Sequence, residues 1–196
     1  MTSQKKTKIA ILASGSGSNA EKIMQYFRNS QLAEVACVIS NRKKAGVLER
    51  AERAGIESRV FPKEAFETAE PILDYLKEQA IDLVILAGFL LKVPAEIISE
   101  FPDKILNIHP ALLPKYGGKG MYGHFVHDAV LKNKDKETGI TIHLVNENYD
   151  EGNVLFQASC EINPEMSAEE IAAKVQVLEH QHFPKVIESY ISEKIS

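Results

Sequence analysis

The sequence is poor in four things: cysteine, of which it has two in 196 residues, long apolar runs, low-complexity tracts, and positive charge, the formal net being -4. Each shortage excludes something. Cys37 and Cys160 sit inside apolar, strand-like runs, CVIS and FQASC, so buried thiols in a reducing compartment are expected rather than a disulfide-stapled scaffold. No apolar run approaches the ~18 residues of a membrane span, and the opening MTSQKKTKIA lacks the apolar core of a signal peptide. A cytoplasmic location is the expectation. The negative balance leaves no broad basic field for nucleic acid or an anionic membrane, and the short basic runs at Lys5–Lys6 and Arg42–Lys44 read as solvated surface. Neither nucleic acid nor a membrane is an expected partner.

What is present is an ordinary globular composition, 44% apolar and 26% charged, in a chain long enough to bury roughly 70% of its unfolded surface. Short aliphatic or β-branched runs at Lys8–Ala13, Val35–Ser40, Arg59–Phe61, Asp82–Ala87 and Lys104–Ile108 read as buried strands. Helix-period segments at Ala20–Arg28, Gly46–Ala54, Ile72–Gln79 and Ala95–Glu100 alternate with them, which predicts an α/β fold with a parallel sheet. Beyond Gly120 come a helix over Val126–Lys132 and two strands, Gly139–Val145 and Asn153–Ser159, joined by a short polar segment, the pattern of a hairpin. A final long helix opens at Ser167 with a capping box to Glu170 and meets Pro184, where a kink or break is expected. No linker, repeat or composition shift divides residues 1–196, so one domain is expected.

The first strand runs into ASGSGSNAEKI. Gly15-x-Gly17-x-x-Ala20 satisfies the dinucleotide fingerprint in form, but the second strand ends Ser40-Asn41-Arg42, without the acidic residue that holds the NAD ribose. A nicotinamide cofactor is therefore disfavoured, with NADP kept open only by Arg42. The loop also lacks the G-K-[ST] ending of an NTPase. Free N–H groups at a helix N-terminus still suit a phosphate, although the glycines could serve only a tight turn.

Asn107 and His109 lie two apart in ILNIHP, hence on one face of a strand, and Pro110 ends that strand. They share the C-terminal sheet edge with the glycine loop, where open α/β sheets bind ligands. Either they are satisfied polar groups at a strand end, or they form part of an acid/base unit that needs a carboxylate. Asp103, Asp150 and Glu151 are candidates, and Asp150 in the hairpin loop is preferred. The paired histidines His124/His127 and His180/His182 lack a metal-ligand framework, so no metal is expected. His143, alternating with Ile142 and Leu144, could sit near the cluster or be an ordinary core histidine.

NIHPALLP closely resembles the N-x-H-P-S-L-L-P signature of the folate-dependent formyltransferases, and ASGSGSN, LAGF at Leu86–Phe89, DEG at Asp150–Gly152 and VQVLEHQHFP follow in the matching order. The combination covers essentially the whole chain and is similar to the phosphoribosylglycinamide formyltransferases. That resemblance implies a single-domain formyltransferase fold, a Rossmann-like, mostly parallel sheet flanked by helices with a C-terminal antiparallel hairpin and a long final helix. It implies formyl transfer from 10-formyltetrahydrofolate to the amine of glycinamide ribonucleotide in purine biosynthesis, through a tetrahedral intermediate, by a monomer or homodimer. Asn107 and His109 would stabilise the intermediate, and Asp150 would raise the His109 pKa and assist proton transfer. Gly17, Ser18, Asn19, Gln176 and Glu179 would meet the ribonucleotide. Phe89, Leu90, Leu91, Lys92, Val93, Asn107, Asn146, Glu147 and Asp150 would meet the folate, with Lys63 the nominee for a further basic contact.

Two departures accompany the resemblance. Gly88-Phe89-Leu90-Leu91-Lys92 replaces the family's G-F-M-R-[IL], and GGKGMYG at Gly117–Gly123 is longer than the usual P-G link. Related enzymes acting on methionyl-tRNA, or hydrolysing formyl-folate, would bring a further C-terminal or N-terminal domain. The length and the negative charge of this chain favour the ribonucleotide enzyme over both.

Overall fold

In a computed structural model describing residues 5–163 and 165–195, the aliphatic runs form strands β1 (Thr7–Leu12), β2 (Ala33–Ser40), β3 (Glu57–Val60), β4 (Leu83–Leu86) and β5 (Ile105–His109). The hairpin strands are β6 (Glu137–Leu144) and β7 (Val154–Glu161). All seven join one sheet in the order β3-β2-β1-β4-β5-β6-β7. β1 to β5 run parallel to one another, while β6 runs antiparallel to both β5 and β7. The order reverses between β1 and β4, which creates a crevice at their carboxyl ends.

The strands read as near-continuous apolar runs because both faces of the sheet are covered. Alternation along β1 sends Ile9 and Ile11 to one face and Ala10 and Leu12 to the other. The first face packs α1 (Ser18–Phe27), α2 (Gly46–Ala54), α6 (His124–Lys132) and α7 (Ala168–Lys194). The second packs α3 (Lys63–Thr68), α4 (Glu70–Glu78) and α5 (Ala95–Glu100). Burial of these apolar side chains, at about 25 cal/mol per Å², is the main force holding the layers.

The Ser167–Glu170 capping box forms as expected, the Ser167 hydroxyl accepting from Glu170 N and the Glu170 carboxylate from Ser167 N. Pro184 does not break α7, which runs through it for 27 residues. The proline removes one N–H, but its ring is buried, as are Phe183 and Ile187 beside it, and that packing holds the helix together. Helix α3 was not expected. It is six residues long with Phe66 alone buried, too short for a periodic pattern to show. No helix among the described residues is long and apolar enough to cross a membrane.

Candidate active site

The carboxyl ends of β1, β4 and β5 open into a cavity of about 680 Å³, within the size range of small-molecule sites. One wall comes from α1 and α7, a second from residues 88–93 after β4, a third from residues 118–123 and 146–150.

At the α1 end, Gly17 caps the helix with φ 78, a left-handed conformation that glycine adopts at no steric cost. A Cβ there would meet Val47 Cβ at 2.5 Å, so the loop turns tightly against α2. No side chain caps α1. Ser18 and Asn19 are tied to α7: Gln176 Nε2 donates to Ser18 Oγ at 3.1 Å, and Asn19 Nδ2 donates to Glu179 Oε2 at 2.9 Å. Asn19, Gln176 and Glu179 line the cavity together with Ser16, whereas Gly17 and Ser18 are not among the lining residues. Burial pushes the Glu179 carboxyl up to about 6 despite the Asn19 hydrogen bond.

At the other end, strand pairing assembles the chemistry. Asn107 lies opposite His143 across β5 and β6, and Asn107 Nδ2 is 3.1 Å from His143 Nε2. His143 Nδ1–H donates to the Leu144 carbonyl at 2.8 Å, so in the neutral ring Nε2 accepts from the Asn107 amide. The same Nε2 is 3.6 Å from Asp150 Oδ1. His109, on the same strand face, has Nδ1 3.6 Å from Asp150 Oδ2. Its Nε2 lies 2.7 Å from the Tyr116 carbonyl, which can only accept, so Nε2 carries the proton and Nδ1 faces the carboxylate.

The two histidines are 4% and 2% exposed, and this decides the protonation of His109. Burial lowers its pKa below the usual histidine value, outweighing the Asp150 charge and the Tyr116 carbonyl that pull the other way. The expected upward shift from Asp150 exists as one contribution, and desolvation overrides it. For Asp150 the balance is reversed. Burial alone would raise its pKa, but the imidazoles of His143 and His109, each 3.6 Å away, and the Gly118 N–H together hold it below the usual carboxylate range.

The glycines of GGKGMYG, whose role is not legible in their spacing, explain how Asp150 is held. Gly118 N–H donates to Asp150 Oδ2 at 2.9 Å. A Cβ on Gly117 would meet Asp150 Cβ at 3.3 Å and Leu113 Cδ2 at 2.6 Å, so a side chain there would have to displace the Leu113 side chain and press on Asp150. Asp150 itself is in the left-handed region, φ 56, a strained conformation for a side-chain-bearing residue.

Phe89, Leu90, Leu91, Lys92 and Val93 form an apolar wall, anchored where Leu90 N–H donates to Ser14 Oγ at 2.9 Å. Lys92 Nζ lies over the Tyr149 ring at 5.8 Å, spanning two rims of the cavity. Asn146 lines it as expected, but Glu147 does not, and Asn148 and Tyr149 take its place. The reason is local: Asn146 Oδ1 accepts from Asn148 N–H at 2.9 Å, an Asx turn that leaves Glu147 exposed at its crown. Lys63 opens α3 and is not among the lining residues. His127, from α6, does line the cavity, buried and with Nδ1 unpartnered. Among the described residues no group of three or more His, Cys, Asp or Glu is arranged to hold a metal ion.

The formyl transferase family model matches residues 7–187. The chain is 39% identical to the chloroplastic phosphoribosylglycinamide formyltransferase of Arabidopsis thaliana, over 97% of this chain and 68% of that one. It is likewise 39% identical to the phosphoribosylglycinamide formyltransferase of Haemophilus influenzae, over 96% and 89%. The solved phosphoribosylglycinamide formyltransferase of Anaplasma phagocytophilum superposes with a TM-score of 0.88 at 33% identity, covering 97% of this chain and 89% of that one. With a mixed sheet of the same kind and likeness along nearly its whole length, the chain belongs to the phosphoribosylglycinamide formyltransferases, enzymes of purine biosynthesis.

Proposed function

We propose that the protein transfers the formyl group of 10-formyltetrahydrofolate to the amine of glycinamide ribonucleotide, acting as one catalytic domain in the cytoplasm, with Asn107, His109 and Asp150 carrying the chemistry. The observation that carries this reading is the convergence of those three side chains on one end of a cavity whose other end is the glycine loop. The ribonucleotide phosphate meets the N–H groups of the first turn of α1, favoured by the helix dipole, and its sugar meets Asn19, Gln176 and Glu179. The pterin lies against the apolar wall of residues 89–93, with the loop of Asn146 and Asp150 opposite. Its ring atoms are recognised by main chain and so tolerate Leu91 where the family has arginine.

The amine nitrogen attacks the formyl carbon, forming a C–N bond and placing negative charge on the formyl oxygen. Asn107 spends one N–H on His143 and has a second for that oxyanion. A preorganised donor of this kind is worth roughly 3 to 4 kcal/mol. The attacking nitrogen must lose a proton and the folate nitrogen must gain one. Because burial keeps His109 neutral, its Nδ1 lone pair is open, and the ionised Asp150 beside it stabilises the imidazolium once the proton arrives. The imidazolium then supports the oxyanion and returns the proton to the departing folate nitrogen as the second C–N bond breaks. Protons balance, and His109 ends neutral.

The test follows loss of the formyl-folate with and without glycinamide ribonucleotide. Turnover that requires the ribonucleotide is the expected result; no turnover, or equal turnover without it, rejects the reading.

A further inference from the structure

His109 is held from behind by the loop that follows it. The segment after Pro110 is pinned at Leu113, whose N–H donates to Thr141 Oγ1 at 2.9 Å, while Gln157 Nε2 donates to the Leu113 carbonyl at 3.0 Å. Three residues later Tyr116 adopts φ 56, left-handed and unfavourable for an aromatic residue. That conformation points its carbonyl at His109 Nε2, 2.7 Å away. The other end of Tyr116 is tethered as well: its hydroxyl donates to Asp135 Oδ2 at 2.7 Å. Asn133 Nδ2 donates to Asp135 Oδ1 at 2.8 Å, and Lys115 Nζ is 3.7 Å from Oδ2. Asp135 borders a separate hollow of about 450 Å³ beside Lys115 and Thr138 and is not on the wall of the substrate cavity.

We propose that Tyr116 and Asp135 are positioning residues for the formyl transfer: their hydrogen bond holds the left-handed turn, and the turn aims the Tyr116 carbonyl at His109 Nε2. A strained residue persists where its surroundings over-determine it, and here they do so from outside the cavity. With the proton fixed on Nε2, the basic nitrogen is Nδ1, turned to Asp150. If the carbonyl swings away, the imidazole is free to take either tautomer, and part of the population presents an N–H where the mechanism needs a lone pair. Asp135 stays an acceptor across neutral pH because the Tyr116 hydroxyl holds its carboxyl below the usual range. The titratable groups around His109 are Asp150 from the β6–β7 connection, His143 from β6 and His127 from α6.

The inference rests on the proton-carrying role given to His109 above, and its test separates the two. Tyr116→Phe keeps the ring that packs against the core and removes only the hydroxyl. Its kcat is expected to fall about tenfold with KM for both substrates within about twofold. Asp135→Ala should match it, Asp135→Asn, which keeps an acceptor oxygen, should recover most of the loss, and the double variant Tyr116→Phe/Asp135→Ala should be no slower than the slower single one. In parallel, ¹⁵N NMR of imidazole-labelled protein, with His109 assigned by its absence from His109→Asn, reads the tautomer. The unaltered protein should show the Nε2–H form and Tyr116→Phe a mixture. A Tyr116→Phe enzyme with unchanged kcat, or an unchanged His109 tautomer, overturns the proposal. Should the unaltered enzyme transfer no formyl group, the functional reading fails, and the tautomer comparison still decides the positioning role.

Discussion

The two ends of the cavity are built differently. At the end proposed for the ribonucleotide the polar groups sit on helices α1 and α7, half-buried or exposed, and bridge to each other by side-chain hydrogen bonds. At the end proposed for formyl transfer they sit on adjacent antiparallel strands and a strained loop. His109 and His143 are almost fully buried, and Tyr116 and Asp150 both have positive φ. Binding a phosphate and a sugar needs donors and a favourable dipole, which water can share. Moving a proton needs a pKa set by desolvation and a geometry fixed to a fraction of an ångström. On the proposed reading, one end serves affinity and the other rate.

That contrast predicts different kinetic signatures. The largest effect is expected at the buried end: His109→Ala and Asp150→Asn each lower kcat by about two orders of magnitude or more, with the fold intact by circular dichroism. Near-normal kcat in either variant would remove that residue from its role and erase the difference between the ends. Activity of the unaltered enzyme should also decline on the acid side. His109 is neutral above its lowered pKa and loses its lone pair as pH falls through that value, while Asp150, held below the usual carboxylate range, is ionised throughout the neutral range.

Next in size, Asn19→Ala should raise KM for the ribonucleotide about tenfold and leave kcat nearly unchanged, since it removes binding that is equal in ground and transition states. A fall in kcat of the same size would mean that the α1 end also positions the reacting amine. The smallest effect concerns Glu179. Its carboxyl, pushed up to about 6, gives up an acceptor lone pair as pH drops through that value, so KM for the ribonucleotide should rise about threefold between pH 7 and pH 5. Glu179→Gln should flatten that profile; a profile that stays steep assigns the titration to another group.

Legibility in the sequence followed the same division. The strands announced themselves through runs such as KIAIL and DLVIL, because a sheet covered on both faces demands continuous apolar strands. Asn107 and His109 were visible as a facing pair through strand alternation alone, and the Ser167 capping box through its spacing. What stayed hidden depended on contacts far apart in the chain or on backbone groups. His143 becomes a partner of Asn107 through the β5–β6 register, and an alternating pattern says which face a residue takes but not what lies across from it. Gly118 holds Asp150 by its N–H, a donor that every residue but proline has. Glu147 lost its place to Asn148 and Tyr149 through an Asx turn whose outcome spacing does not settle.

By itself, then, the sequence determined the order of the strands and of every helix but α3, the glycine loop after β1, the polar pair at the end of β5 and the family, since each is written in local periodicity or contiguous motif. Tertiary structure alone decided that His109 is neutral, which of its nitrogens is free, and how Asp150 is kept charged beside it. Those properties are sums of desolvation, opposing charges and hydrogen bonds from β6, the Gly117–Gly118 turn and Tyr116, and such sums exist only once distant segments share one dry space.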